Sequence, residues 1–239
     1  MISENNNSVI YSKKLASDVN ALVEGVSSEQ LFILTDEHTK IHCLPLLQSE
    51  GAMKNAKVYT MPCGDHYKTI ETVVEIWKFL GENGGTRKSM LINLGGGVVT
   101  DLGGFVANTF KRGIRFINIP TTLLSMVDAA VGGKTGINFN GLKNEIGVIN
   151  PAETVVIYPD FLRSLDTENL LSGYAEMLKH GLLSSEEEMK KLNKFDARRP
   201  DFDLLAELIK TSIEVKANIV KQDPTEKGIR KALNLGHTI

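Results

Sequence analysis

The order of short apolar runs and helix-period stretches restricts this chain more than any other feature. Runs at 31–35, 57–61, 90–94, 115–119 and 155–158 have strand length and apolar content. Between them, 14–24, 40–50, 70–83 and 98–109 carry helical periodicity. Alternation of this kind predicts parallel βαβ units and an α/β, Rossmann-like domain. Ligands of such sheets collect beyond the carboxyl ends of the strands. After about Tyr158 the strand signal stops, and 167–183, 185–195, 201–222 and 228–239 all read as helices. The expected organisation is an α/β domain over 1–158 and an all-helical domain over 159–239. The chain stops at Ile239 inside a helical pattern with no cap or polar tail, which implies that the helical domain is incomplete.

Composition narrows the function classes. A net charge of -2 offers no basic field for nucleic acid or an anionic membrane. No apolar run reaches the roughly 20 residues of a membrane helix, and Met1–Asn7 are too polar for a signal core. Cys43 and Cys63 cannot build a disulfide framework, so a reducing, cytoplasmic setting is expected.

Several segments could carry chemistry. Gly95, Gly96 and Gly97 follow a strand and open a helix at Val98, Val99, Thr100 and Asp101. Glycines let a pyrophosphate approach the backbone, and the helix N-terminus supplies amide donors. A full dinucleotide fingerprint would place a third glycine at Thr100, so a plain strand-to-helix turn stays open. Gly133-Lys134-Thr135 imitates a P-loop, but Asp128 stands where its first glycine is needed. Lys134, Lys143, Asn144, Thr121 and Thr122 could still hold a phosphorylated, hydroxyl-rich ligand, or the lysines could be solvated loop residues.

The helical part offers further candidates. Leu171, Tyr174, Ala175, Leu178 and Leu182 form one stripe of the helix near Gly173, the expected apolar face. Glu176 and Lys179 lie on another face, either as metal ligand and substrate cation or as a surface ion pair. His180 reads as a helix-surface histidine within reach of Glu176. Lys216 falls inside the apolar stripe of 201–222, where it must be paired or snorkel outward. Arg230, Asn234 and His237 share one face of the final expected helix.

Taken together the chain resembles the 3-dehydroquinate synthase family along nearly its whole length. The resemblance is carried by Gly64 to Lys68, Gly95 to Asp101, Arg112 to Phe116, and Ile119 to Ser125. It continues through Asp128, Lys134-Thr135, Lys143-Asn144, Ser172 to Lys179, and Asn234 to Thr238. It implies an NAD- and metal-dependent lyase that cyclises 3-deoxy-D-arabino-heptulosonate 7-phosphate in the shikimate pathway. NAD would be held by Asp36, Gly64, Asp65, Lys68, Gly96, Gly97, Val98, Asp101, Thr121, Thr122, Lys134, Lys143, Phe161 and Ser164. Glu176 and His237 would be two of three protein ligands of zinc or cobalt. Asp128, Lys134, Asn144, Lys179, Lys216, Arg230 and Asn234 would hold the substrate, with Arg112 reaching its phosphate from the second copy of a homodimer.

Asp65 stands where the family usually has glutamate, and Pro224 where an acidic residue is common. The third metal ligand would lie beyond Ile239, so the isolated chain is expected to be impaired. The rival expectations are another sugar phosphate cyclase and a metal-dependent polyol dehydrogenase. The cations Lys134, Lys143 and Arg112 favour a phosphorylated substrate over a neutral polyol.

Overall fold

A computed structural model describes residues 8–236. Its elements are β1 (Ser8–Tyr11), α1 (Leu15–Leu22), β2 (Leu31–Asp36), α2 (Glu37–His42), α3 (Leu44–Leu47), β3 (Lys57–Met61), α4 (Ile70–Glu82), β4 (Met90–Gly95), α5 (Gly97–Thr109), β5 (Arg115–Pro120), β6 (Lys134–Phe139), β7 (Leu142–Ile149), β8 (Thr154–Ile157), α6 (Thr167–Ser184), α7 (Glu186–Leu192) and α8 (Phe202–Gln222). They fall into two units. One takes in the described residues through Thr121 together with Gly133–Tyr158; the other is Thr122–Gly132 with the residues after Pro159. The first unit is α/β and the second helical. Residues 122–132 precede the expected boundary yet group with the helices.

In the α/β unit six strands pair in the order β1-β8-β5-β4-β2-β3, and every pairing is parallel. The central strands β2 and β4 are buried almost throughout, as strands covered on both faces must be. From β2 the chain steps outward to β3, then returns to place β4 on the other side of β2. That reversal opens a crevice at the carboxyl ends of β2 and β4. Asp36 ends β2 there, and Gly95, Gly96 and Gly97 carry β4 into α5.

Helix α5 lies close against the sheet because it lacks side chains where it crosses. A Cβ on Gly103 would meet Asn93 Oδ1 at 2.1 Å, and one on Gly104 would meet Thr135 Cγ2 at 2.3 Å. Asn93 is fully buried and gives its amide to Asn118 Oδ1 on the adjacent strand at 2.9 Å. Below α5 and α4, Phe32, Leu34, Leu91, Val106 and Phe116 belong to the main apolar cluster.

Three strands depart from the sequence reading. β1 was not expected, and it pairs with β8. β6 and β7 form an antiparallel hairpin where a glycine-rich loop was expected. Asn140 and Gly141 turn it, with φ of 50° and 79°, the left-handed pair that favours asparagine and glycine. Nearly all of β7 is exposed, so its sequence shows no buried face. The helix expected over 40–50 breaks at Cys43, because Pro45 opens α3 and cannot continue α2. The helix expected over 228–239 is a short 3₁₀ turn, Ile229–Asn234. Among the described residues no helix is long and apolar enough to cross a membrane.

Gly103→Ala places a methyl group against Asn93 and Leu34 with nowhere to relax. It should destabilise the α/β unit by about 1–3 kcal/mol. A denaturant midpoint equal to that of the parent would refute this packing.

Candidate active site

In the α/β unit the crevice is built from three segments. Gly96 caps α5 with an extended backbone, and the first amides of the helix at Gly97 and Val98 point out of its N-terminus toward the crevice. Thr100, at the position of a third glycine, turns its hydroxyl back onto Gly97 O at 3.1 Å. Asp36 caps α2 by accepting from Thr39 N at 2.8 Å, and Thr39 Oγ1 returns to Asp36 N. This reciprocal cap fixes the carboxylate at the end of β2. Thr121 N reaches Gly95 O at 3.0 Å and ties the end of β5 to the glycine turn.

The third segment follows Gly64, whose φ of 116° lets the chain turn into the Asp65–Tyr67 turn. Lys68 is buried, with Nζ 2.6 Å from Asp101 Oδ2 and 2.5 Å from Asn144 Oδ1. Lys143 Nζ stands 3.1 Å from Asp65 Oδ2, and Asn138 donates to Asp65 O. The structure thus brings Asp65, Lys68, Asp101, Lys143 and Asn144 into one network that stitches the β6–β7 hairpin to α5. Lys134 is exposed at the start of β6. Arg112 is also exposed, with φ of 70°, in the turn entering β5. That turn lies at the amino end of the strands, opposite the crevice.

In the helical unit a second cluster forms. Asp128 sits in a π-helical turn, Ser125–Ala129. Glu176, Lys179 and His180 come from α6, and Lys216 comes from α8. Gly173 lets α6 approach the turn, since its Cβ would lie 2.5 Å from Leu123 Cβ and from Leu124 N. Ligand atoms of Asp128, Glu176 and His180 lie within 4.8 Å of one another. Lys216 Nζ bonds both the carboxylate and the backbone carbonyl of Asp128. Lys179 Nζ stands 2.5 Å from Glu176 Oε1 and bonds Leu233 O.

Burial works against ionising Asp128, but Lys216, and behind it Lys179 and His180, outweigh that and hold its carboxyl below the usual range. Glu176 is likewise opposed by burial and by Asp128, yet its contacts with His180 and Lys179 keep it below the usual range. His180 Nε2 is buried without a hydrogen-bond partner, and Glu176 Oε1, also buried, has the ion pair with Lys179. Two ionised carboxylates set side by side fit a divalent cation.

Several expectations change here. Glu176 and Lys179 are 8% and 7% exposed, so they are not a surface pair, and His180 at 1% is not a helix-surface histidine. The stripe read as apolar core is instead open, with Leu171 and Leu182 at 44% and 65%. α6 buries its polar face because that face meets Asp128. Lys216 is buried and paired, not snorkelling. Arg230 and Asn234 do not share a face. In a 3₁₀ turn residues three apart align, so Arg230 is buried with Leu233 while Asn234 is exposed and donates to Glu226. Arg230 gives its guanidinium to Pro224 O and Gly132 O. Of the other residues assigned by resemblance, Thr122 caps the Ser125 turn, Phe161 is buried, and Ser164 donates to Phe161 O. His237 lies outside the described residues. Ser212, whose Oγ is 2.7 Å from His180 Nδ1, was not foreseen.

Comparison with known proteins identifies a family and a fold. A family model described as the N-terminal part of 3-dehydroquinate synthase matches residues 58–172, and one described as the C-terminal part matches 173–239. A 3-dehydroquinate synthase of Parabacteroides distasonis is 51% identical over 97% of the chain, which spans 65% of that relative's length. Among solved structures, 2-epi-5-epi-valiolone synthase of Streptomyces hygroscopicus, with NAD+ and Zn2+ bound, aligns at a TM-score of 0.87 and 26% identity, over 99% of this chain and 67% of that one. A 2-deoxy-scyllo-inosose synthase complexed with carbaglucose-6-phosphate, NAD+ and Co2+ aligns at 0.82 and 22% identity, over 96% and 65%. At that identity the likeness speaks for the fold alone.

Lys216→Met should destabilise the helical unit by about 1–3 kcal/mol at neutral pH, because it leaves the half-buried Asp128 carboxylate without its ion-pair partner. In the parent, the lowered Asp128 contributes stability above the ordinary carboxylate range, lost as pH falls through its folded value. In the variant the carboxyl keeps the cost of burial and loses its closest cation, so protonation relieves part of that cost. The difference between the two proteins should therefore shrink as pH drops below about 4. A difference that stays constant from neutral to acid pH would sink the pairing argument.

Proposed function

The chain belongs to the 3-dehydroquinate synthase family, and from that premise we propose that it converts 3-deoxy-D-arabino-heptulosonate 7-phosphate into 3-dehydroquinate and inorganic phosphate. The observation that carries the reading is the cluster of half-buried Asp128 with buried Glu176 and His180, and Lys179, Lys216 and Arg230 in the same unit. A neutral polyol has no use for so many interior cations, whereas a phosphorylated carboxylic acid does.

In this reading Glu176 and His237 hold a divalent metal, zinc or cobalt. Asp36, Gly64, Asp65, Lys68, Gly96, Gly97, Val98, Asp101, Thr121, Thr122, Lys134, Lys143, Phe161 and Ser164 hold NAD. When bound, NAD supplies a reversible two-electron oxidation and the metal supplies Lewis acidity. Bound NAD would be regenerated within the turnover, so the overall reaction would be redox-neutral. Asp128, held ionised by Lys216, accepts hydrogen bonds from substrate hydroxyls and keeps them oriented. Lys179, Arg230 and Asn234 bind and orient the anionic substrate. Lys134 and Asn144 sit toward the phosphate, joined by Arg112 of a second copy in a homodimer. The leaving phosphate carries away charge that these cations stabilise as it builds. A cytoplasmic location fits a reaction that draws on NAD and a metabolic sugar phosphate.

The test is phosphate release from the heptulosonate phosphate by the uninterrupted gene product with NAD and zinc or cobalt. Metal-dependent release without accumulating NADH is expected, and Lys179→Ala should lower kcat/KM about a hundredfold or more. Turnover of a different sugar phosphate only, or net NADH from a polyol, would replace this reading with one of its rivals.

A further inference from the structure

A polar chain runs inward behind Glu176. Ser212 Oγ, on α8, lies 2.7 Å from His180 Nδ1, and the other edge of that ring, Nε2, lies 3.5 Å from Glu176 Oε1. His180 is 1% exposed and Ser212 is also buried. A small cavity beside the ring is lined by Met177, Leu208 and Val215 with Glu188, Thr211 and Ser212, and of these Ser212 is the one hydrogen-bonded to the imidazole. The orientation of the ring is therefore set by Ser212.

The tautomer follows from the acceptor it faces. Nε2 lies 3.5 Å from Glu176 Oε1, a carboxylate oxygen that can only accept. That neighbour favours an N–H on the edge over a lone pair. Nδ1 is then the acceptor of the Ser212 hydroxyl proton. An Nε2 that carries hydrogen donates toward a carboxylate and does not ligate a metal.

We propose that Ser212 and His180 are positioning residues for Glu176: the hydroxyl locks the ring, and the ring fixes the direction in which the carboxylate presents its oxygen to a divalent cation. Partners of this kind behind a metal ligand commonly change affinity by 10- to 100-fold (roughly) when removed. The inference rests on the metal-binding reading of Glu176 given above.

The experiment measures cobalt(II) affinity by chelator competition, the visible cobalt spectrum and NAD affinity, using the uninterrupted gene product. The variants are Ser212→Ala, Ser212→Thr and His180→Gln. Expected is roughly tenfold weaker cobalt binding in S212A and at least as much in H180Q, recovery in S212T, an intact cobalt spectrum at saturation, and unchanged NAD affinity. NAD affinity reports that each variant is folded. Unchanged cobalt affinity in both S212A and H180Q would overturn the proposal. So would loss of the cobalt bands in H180Q at saturating metal, which would make His180 a ligand. Failure of the parent protein to bind cobalt would instead bring down the metal-binding reading itself, and this inference with it.

Discussion

Two carboxylates pressed together in a protein interior stay ionised only if cations are supplied with them. The helical unit is organised around that requirement. Lys216 from α8 closes on Asp128, and Lys179 from α6 closes on Glu176. Each lysine also bonds a backbone carbonyl, Asp128 O and Leu233 O respectively, so the cations hold the π turn and the 3₁₀ turn as well as the acids. The consequence reaches into ordinary packing. α6 turns Glu176, Lys179 and His180 inward beside Leu170 and Met177, and leaves Leu171 and Leu182 exposed.

The sheet was readable because parallel strands buried on both faces are written as unbroken apolar runs, as in Leu31 to Leu34 and Met90 to Leu94. β6 and β7 were not, since β7 is exposed nearly throughout and β6 buries a consecutive run, so neither alternates. The signal that could have found them was Asn140-Gly141, a hairpin turn pair between Phe139 and Leu142. The 3₁₀ character of Ile229–Asn234 had no mark in residue type, and its helical reading wrongly aligned Arg230 with Asn234.

The candidate site was legible as residue types and illegible as contacts. Glycines after a strand, a lysine in an apolar stripe and an acid beside a lysine each gave a reason to look. Periodicity then pointed the wrong way on α6, because it equates apolar with buried, and it left His180 on the surface. Ser212 gave no sign at all, being one hydroxyl among many until the fold set it against His180. The network of Lys68 with Asp101 and Asn144 joins positions 33 and 76 apart in sequence, a distance that no local pattern reports.

The interleaving of the two units bears on how the chain assembles. The turn that holds Asp128 is synthesised between strands of the other unit, and its partner Lys216 comes 88 residues later. During synthesis the carboxylate therefore waits, hydrated, while the rest of the sheet can already pair. Closing so long a loop costs little more than closing a moderate one, but it delays the event and raises the mean contact separation that governs folding speed. The helical unit should be the last part of the molecule to become ordered, and the first to be lost when synthesis stalls or the chain is clipped.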